Sequence, residues 1–428
     1  MSFALPFLII LVFLATHALA WLPGEHRDIV NFNTSTRRNF TTAPPLSSGS
    51  TLRKPLNQTR ILSIPSNKIR GVNLGSLFVF EPWMANTQWQ NMGCGPYKSE
   101  FDCVLGLGQQ RANAAFQSHW NSWITQGDIQ QMKNYGLNTI RIPLGYWLLE
   151  TIVYKDSEHF PQGAFPYLER ICGWAADAGF YIILDLHGAP GAQQQQQSFT
   201  GQYAPTAGFY QPWQYDRAYQ FLAWMTEVVH RWPAFRNVGM IEVVNEPLQG
   251  GAPGLTDVYY PGAYKAIRER EAKIGITQNN LLHVQTMNTL WGSGDPHCCL
   301  PNDWFMSYDD HRYTKWDSSV PVNQRSYISD ACHNNRLSNW PTVVGEWSLS
   351  VPDNVQWNGD WHPNNQKAFY AQWWAAQTAS YERMTNGWVF WSWKTQLGDY
   401  RWSYSEAVAA GVIPSNAANI NPNACNGF

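Results

Sequence analysis

From Lys68 onward the chain alternates short apolar, β-branched runs with longer stretches whose apolar residues recur every three or four positions. The first pattern predicts strands and the second amphipathic helices. Strands are read over residues 69–74, 139–143, 180–186, 238–244, 281–286, 304–308, 342–344 and 388–393. Helices are read between most of them, over 127–135, 165–178, 214–231, 262–273 and 364–383. Strand and helix in turn, with eight strands over about 360 residues, predict an α/β fold of the closed (β/α)8 TIM-barrel type, one domain with long βα loops. An open doubly wound sheet fits less well, because no glycine-rich dinucleotide fingerprint opens any of the helices.

Two connections are too long to be mere links. One spans 78–120 and holds Trp83, Trp89, Tyr97, Cys94 and Cys103; the other spans 188–213 and holds Gln193 to Gln197, then Phe199, Tyr203 and Tyr210. Both follow strands, which puts them on the C-terminal face of a barrel, where active sites are built. The glutamine run reads either as filler or as a sugar-binding element.

Before this domain (67–428) come two segments of different character. Residues 1–20 pass from an apolar stretch at 7–14 into Ala18-Leu19-Ala20, the pattern of a cleaved signal peptide, without a Lys or Arg in front. Residues 21–66 are rich in Asn, Thr, Ser, Arg and Pro and carry the three glycosylation sequons, at Asn33, Asn39 and Asn57, as an exposed leader or pro-segment would. The expected location is outside the cell, in the medium or the wall.

Composition narrows the ligand. Charged residues are 14% of the chain, against about a quarter in ordinary domains, while aromatics reach 15% with 23 Trp. Indole and phenol rings stack on the apolar faces of sugars, so this surface points to carbohydrate. The net charge of −2 offers nothing to a polyanion, which argues against nucleic acid. No segment after the signal is long and apolar enough to span a bilayer, and a monomer is expected. Of seven cysteines, Cys94 and Cys103 could close a short loop, Cys298 and Cys299 could take Cys332 and Cys425 in either order, and Cys172 reads as a buried thiol. His297 beside Cys298 and Cys299 lacks a second ligand pair, so no metal and no cofactor are expected.

The chemistry is carried by two runs, Ile241-Glu242-Val243-Val244-Asn245-Glu246-Pro247 and Val343-Val344-Gly345-Glu346-Trp347. Each reads as a buried strand delivering a glutamate at its tip, and two carboxyls in one cleft are the equipment for cleaving a glycosidic bond. Around them the strand tips offer Asn73, Arg141, His187, Asn245, His311, Tyr313 and Trp391. Taken singly, Arg141 reads as a buried ion-pair partner, His187 or His311 as a core histidine and Trp391 as packing. At the same end of successive strands they form one ring.

These motifs, with Ile69-Arg70-Gly71-Val72-Asn73-Leu74-Gly75, Ile140-Arg141-Ile142-Pro143, Asp185-Leu186-His187-Gly188, His311-Arg312-Tyr313 and Phe390-Trp391-Ser392-Trp393-Lys394, resemble the retaining β-glycosidases of glycoside hydrolase family five. The resemblance implies Glu246 as acid/base and Glu346 as nucleophile, with Arg141 and Tyr313 keeping Glu346 ionised. It implies Asn245 on the sugar 2-hydroxyl, His187 and Trp391 lining the cleavage subsite, and His311 among the substrate-binding residues. Among its members the chain is similar to fungal endo-β-1,6-glucanases in Met92-Gly93-Cys94, Ser99-Glu100-Phe101-Asp102-Cys103 and Phe199-Thr200-Gly201-Gln202-Tyr203-Ala204-Pro205. Fungal exo-β-1,3-glucanases share Glu81-Pro82-Trp83 and His187-Gly188-Ala189-Pro190-Gly191 and remain the alternative. A wall protein that binds glucan without cutting it is the reading from another class. For an endo-enzyme the aromatics of the two long loops, Trp83, Trp89, Tyr97, Phe199, Tyr203 and Tyr210, are expected at one mouth.

Overall fold

The computed structural model describes residues 68–428, apart from 302–304, 334–340 and the side chain of Asn279. The signal peptide and leader expected over 1–66 lie outside the described residues. Eight parallel strands close into a barrel in chain order: β1 (Ile69–Asn73), β2 (Thr139–Gly145), β3 (Tyr181–Gly188), β4 (Val238–Glu242), β5 (His283–Met287), β6 (Met306–Arg312), β7 (Thr342–Trp347) and β8 (Gly387–Phe390). Closure is direct, Ile69 standing opposite Gly387 and Val72 opposite Phe390.

The helices are α1 (Asn86–Asn91), α2 (Glu100–Leu107), α3 (Gln109–Ser122), α4 (Gln126–Asn134), α5 (Phe165–Ala178), α6 (Pro212–Arg231), α7 (Tyr260–Lys273), α8 (Gln324–His333), α9 (Lys367–Met384) and α10 (Tyr404–Ala409). Helix α5 shows how local sequence sets its ends. Pro166 sits in its first turn, where its missing N–H costs nothing, and Gly179 stops it in the left-handed conformation. Its stripe of Leu168, Ile171, Cys172 and Ala175 is buried against the barrel.

Strand β6 differs most from expectation, running to Arg312 rather than stopping at 308. Its polar residues Ser307, Asp309, Asp310 and His311 are buried, so their polarity hides a strand from a reading by hydrophobicity. The connection over 78–120 is also more ordered than a loop. It folds as α1, α2 and α3, with Trp89, Val104, Phe116 and Trp120 turned into the core and Cys94 bonded to Cys103. Cys332 pairs with Cys425, and Cys298 with its neighbour Cys299, so neither adjacent cysteine takes Cys332 or Cys425. Cys172 is a free buried thiol. Among the described residues no helix is long and apolar enough to cross a membrane.

Candidate active site

The barrel interior has two layers. Ile69, Tyr181, Ile183, Met240, Val343 and Val389 form an apolar lower one. Toward the C-terminal ends, the same inward alternation brings Arg141, Asp185, Glu242 and Asp309 together, each fully buried. Charges removed from water are costly unless paired, and here the pairing is dense. The Arg141 guanidinium lies 3.0 Å from Asp185, 2.8 Å from Glu242 and 2.9 Å from Glu346. It also donates to the side-chain oxygens of Asn73 and Asn245, at 2.9 and 2.8 Å. One residue in β2 thus fixes groups carried by β1, β3, β7 and the turn after β4.

Glu346 stands within β7. Its Oε1 accepts from Arg141 and its Oε2 from the Tyr313 hydroxyl, at 2.9 and 2.8 Å. The preceding Gly345 donates its N–H to Asp309 at 2.8 Å, and a Cβ there would collide with that carboxylate, so a side chain at 345 would force the strand away. Glu246 lies beyond the end of β4, on backbone with φ of 39°, in the left-handed region that non-glycine residues rarely enter. Its Oε1 is 2.8 Å from Nδ1 of His311, and the same nitrogen is 3.6 Å from Oε2 of Glu346. One carboxylate oxygen from each glutamate and the imidazole lie within 4.8 Å of one another. His187 bonds Asp185 at 2.7 Å and stacks on Trp391, ring centroids 5.6 Å apart.

The electrostatics follow from this crowding. Burial works against a charge on His311, but Glu346 and Asp309 outweigh it and hold the imidazolium well above the ordinary histidine range. Both ring nitrogens are then donors, Nδ1 to Glu246 and Nε2 toward Asp309. Burial lifts Glu346 above the ordinary carboxylate range, with His311 and Arg141 pulling it down and Glu246 pushing it up. The ion pair expected with Arg141 is present, yet it does not depress Glu346. Arg141 shares its charge with Asp185, Glu242 and Asp309 as well.

The ring opens into a cleft of about 960 Å³. His187, Asn245, Glu246, His311, Tyr313, Glu346 and Trp391 line it, while Arg141 lies beneath its floor. Trp391 faces the cleft; Trp393 is buried and donates its indole N–H to Asp128. Of the six loop aromatics expected at the mouth, Trp83 and Phe199 line it. Trp89 instead packs on Phe80, Tyr97 packs against the core, Tyr203 lies under Lys98, and Tyr210 hydrogen-bonds the backbone of Leu248. Trp291, Trp316, Trp357 and Trp402, from the loops after β5 to β8, supply walls the sequence reading did not assign. Trp316 and Trp357 are 65% and 55% exposed, as open platforms rather than core. Glu81 also lines the cleft; burial raises its carboxyl to about 7, and Trp83 donates to it at 2.9 Å.

Among the described residues two groups have metal-type donors, Glu246 with His311 and Glu346, and Glu242 with Asp309 and His311. The positive charge such carboxylates require is already supplied by Arg141 and the His311 imidazolium, so these donor sets do not fit a resident cation.

The family model for cellulase (glycosyl hydrolase family 5) matches residues 106–396. Glucan endo-1,6-beta-glucosidase B of Emericella nidulans is 59% identical over 405 residues, 94% of this chain and 95% of its own. A probable glucan endo-1,6-beta-glucosidase B of Neosartorya fischeri is 60% identical over 366 residues, 85% and 91% of the two chains. A probable glucan 1,3-beta-glucosidase A of the same species is 30% identical over 397 residues, 83% and 90% of the two chains. Among solved structures, rutinosidase from Aspergillus niger superposes with a TM-score of 0.65 at 20% identity, covering 81% of this chain and 97% of its own, a likeness of fold.

Proposed function

The chain belongs to glycosyl hydrolase family 5, and from that premise we propose that it is a secreted, monomeric, retaining glucanase that cuts internal β-1,6-glucosidic bonds of fungal wall glucan. The observation that carries the chemistry is that one carboxylate oxygen of Glu246 and one of Glu346 lie within 4.8 Å of each other across one imidazole. Retaining enzymes hold their carboxyls about 5–5.5 Å apart, whereas inverting enzymes need a wider gap for water. Glu346 attacks the anomeric carbon while Glu246 protonates the departing oxygen. Water then gives a proton to Glu246 and bonds through its oxygen to the anomeric carbon as the bond from that carbon to Glu346 breaks. Arg141 and Tyr313 steady the nucleophile, Asn245 meets the 2-hydroxyl, and His187, His311 and Trp391 enclose the sugar. Neither metal nor organic cofactor has a step.

The linkage rests on similarity: relatives near 60% identity are named for endo-1,6 action, and those named for 1,3-glucosidase activity stand at 30%. The open row of tryptophans supports internal cutting, since an endo-enzyme binds sugar on both sides of its carboxyls. Linear β-1,6-glucan should be cut to a ladder of short oligosaccharides including gentiobiose, with little action on linear β-1,3-glucan. Glucose as sole early product, or faster cleavage of the 1,3-linked polymer, would establish the exo-1,3 alternative. Binding without release of reducing ends would establish the wall protein.

A further inference from the structure

The backbone at Glu246 is left-handed, and the following Pro247 disfavours helical backbone at this position. A non-glycine residue stays in such a conformation only where its surroundings over-determine it. Here three successive carbonyls each accept a side-chain N–H. Gln193 donates to Asn245 O at 3.0 Å, Gln194 to Glu246 O at 3.1 Å, and Trp291 to Pro247 O at 2.7 Å. The next residue closes the circuit: Leu248 N–H donates to the Tyr210 hydroxyl, which donates to Gln193 O at 2.9 Å.

Gln193 is itself fixed. It is fully buried, its amide also reaches His187 O at 2.6 Å, and its Oε1 accepts from Ala189 N at 3.1 Å. We infer that Gln193 and Gln194, the first two members of the glutamine run, are positioning residues that clamp the strained turn and so aim the Glu246 carboxyl at His311 and the cleft. The run is therefore divided: its first two amides grip the turn after β4, while Gln195 and Gln196 are exposed.

This inference rests on Glu246 being the proton donor, and the test separates the two. Gln194 is half-buried, so Gln194→Met removes the amide with little loss of packing. The readout is kcat/KM, which reports only steps up to the glycosyl-enzyme, on β-1,6-glucan and on dinitrophenyl β-gentiobioside, whose leaving group departs without a proton. Gln194→Met should lower kcat/KM about tenfold on glucan and less than about twofold on the dinitrophenyl substrate, with an unchanged thermal midpoint. Gln195→Ala should leave both unchanged. Glu246→Ala should show the same split, about a thousandfold on glucan. If Glu246→Ala shows the split and Gln194→Met does not, the clamp alone is overturned. If Glu246→Ala loses both substrates equally, the proton-donor role falls and takes the clamp with it.

Discussion

The tips of β4 and β7 deliver the same side chain by opposite means. Glu346 sits inside a strand, just past the point where β7 shifts its register against β6, its side chain 5% exposed, with both oxygens gripped directly by Arg141 and Tyr313. Glu246 sits on an irregular turn, its side chain 16% exposed, with the gripping done at the backbone carbonyls. The difference matches what the proposed roles ask of each group. A nucleophile attacks one carbon along one line, and rigid partners favour it. A group that must serve a leaving oxygen and then a water gains from a carboxyl held at one oxygen only, by His311, on a fixed backbone.

The sharpest way to break this comparison is to truncate each glutamate. Glu346→Ala should lose about four or more orders of magnitude in rate on every substrate, because no group replaces the proposed nucleophile. Glu246→Ala should spare the activated substrate. Azide should rescue both, giving the inverted glycosyl azide with Glu346→Ala and the retained one with Glu246→Ala, read by NMR of the product. The same anomer from both variants would reverse or void the assignment.

A smaller effect sharpens the β7 side. As the proposed nucleophile, Glu346 must be ionised to attack and lies above the ordinary carboxylate range, so activity should be present above its pKa and fall as pH drops through it. Tyr313 donates to the ionised form. Tyr313→Phe should therefore raise that pKa, moving the acid limb of kcat/KM to higher pH by about half a unit to one unit, and lower the plateau about tenfold. A limb that stays still or moves to lower pH would show that it does not report Glu346.

The smallest expected effect is none. Were one cation to bridge the Glu246, His311 and Glu346 donors, the contrast between the two tips would collapse into a shared ligand set. Dialysis against EDTA should leave turnover of glucan unchanged, and an activity lost to chelation and restored by zinc or calcium would overturn that expectation.

The strands were legible in sequence because Val, Ile and Leu runs alternate with helical stripes. That the candidate residues would converge on one cleft was legible because strand tips place them in a predictable ring. Legibility failed where chemistry and folding pull apart. The end of β6 is polar because it faces the site, so it did not look like strand. Helices α1 and α3 are rich in Gln, Asn and Ala, with too thin an apolar stripe to announce themselves, while α2 is apolar but only eight residues long, too short for a helical period to declare itself. Among 23 Trp, core and cleft members look alike: Trp89 carries its polar end to the Tyr97 carbonyl indoors, while Trp357 stands open. Gln193 and Gln194 could not be read because their partners are main-chain carbonyls, which no side-chain pattern reveals.

The tryptophans at the rim also make the cleft an optical object. Trp83, Trp316 and Trp357 are 40%, 65% and 55% exposed, so their indoles emit from a wet, polar setting and are open to collision with a dissolved quencher such as iodide. Trp89, Trp120, Trp347 and Trp388 emit from the dry interior, which a solute does not reach. A sugar chain lying across the rim exchanges water for an apolar pyranose face on the first group and leaves the second untouched. Occupancy of the cleft is thereby written into the colour and quenching of the protein's own emission, independently of whether any bond is cut.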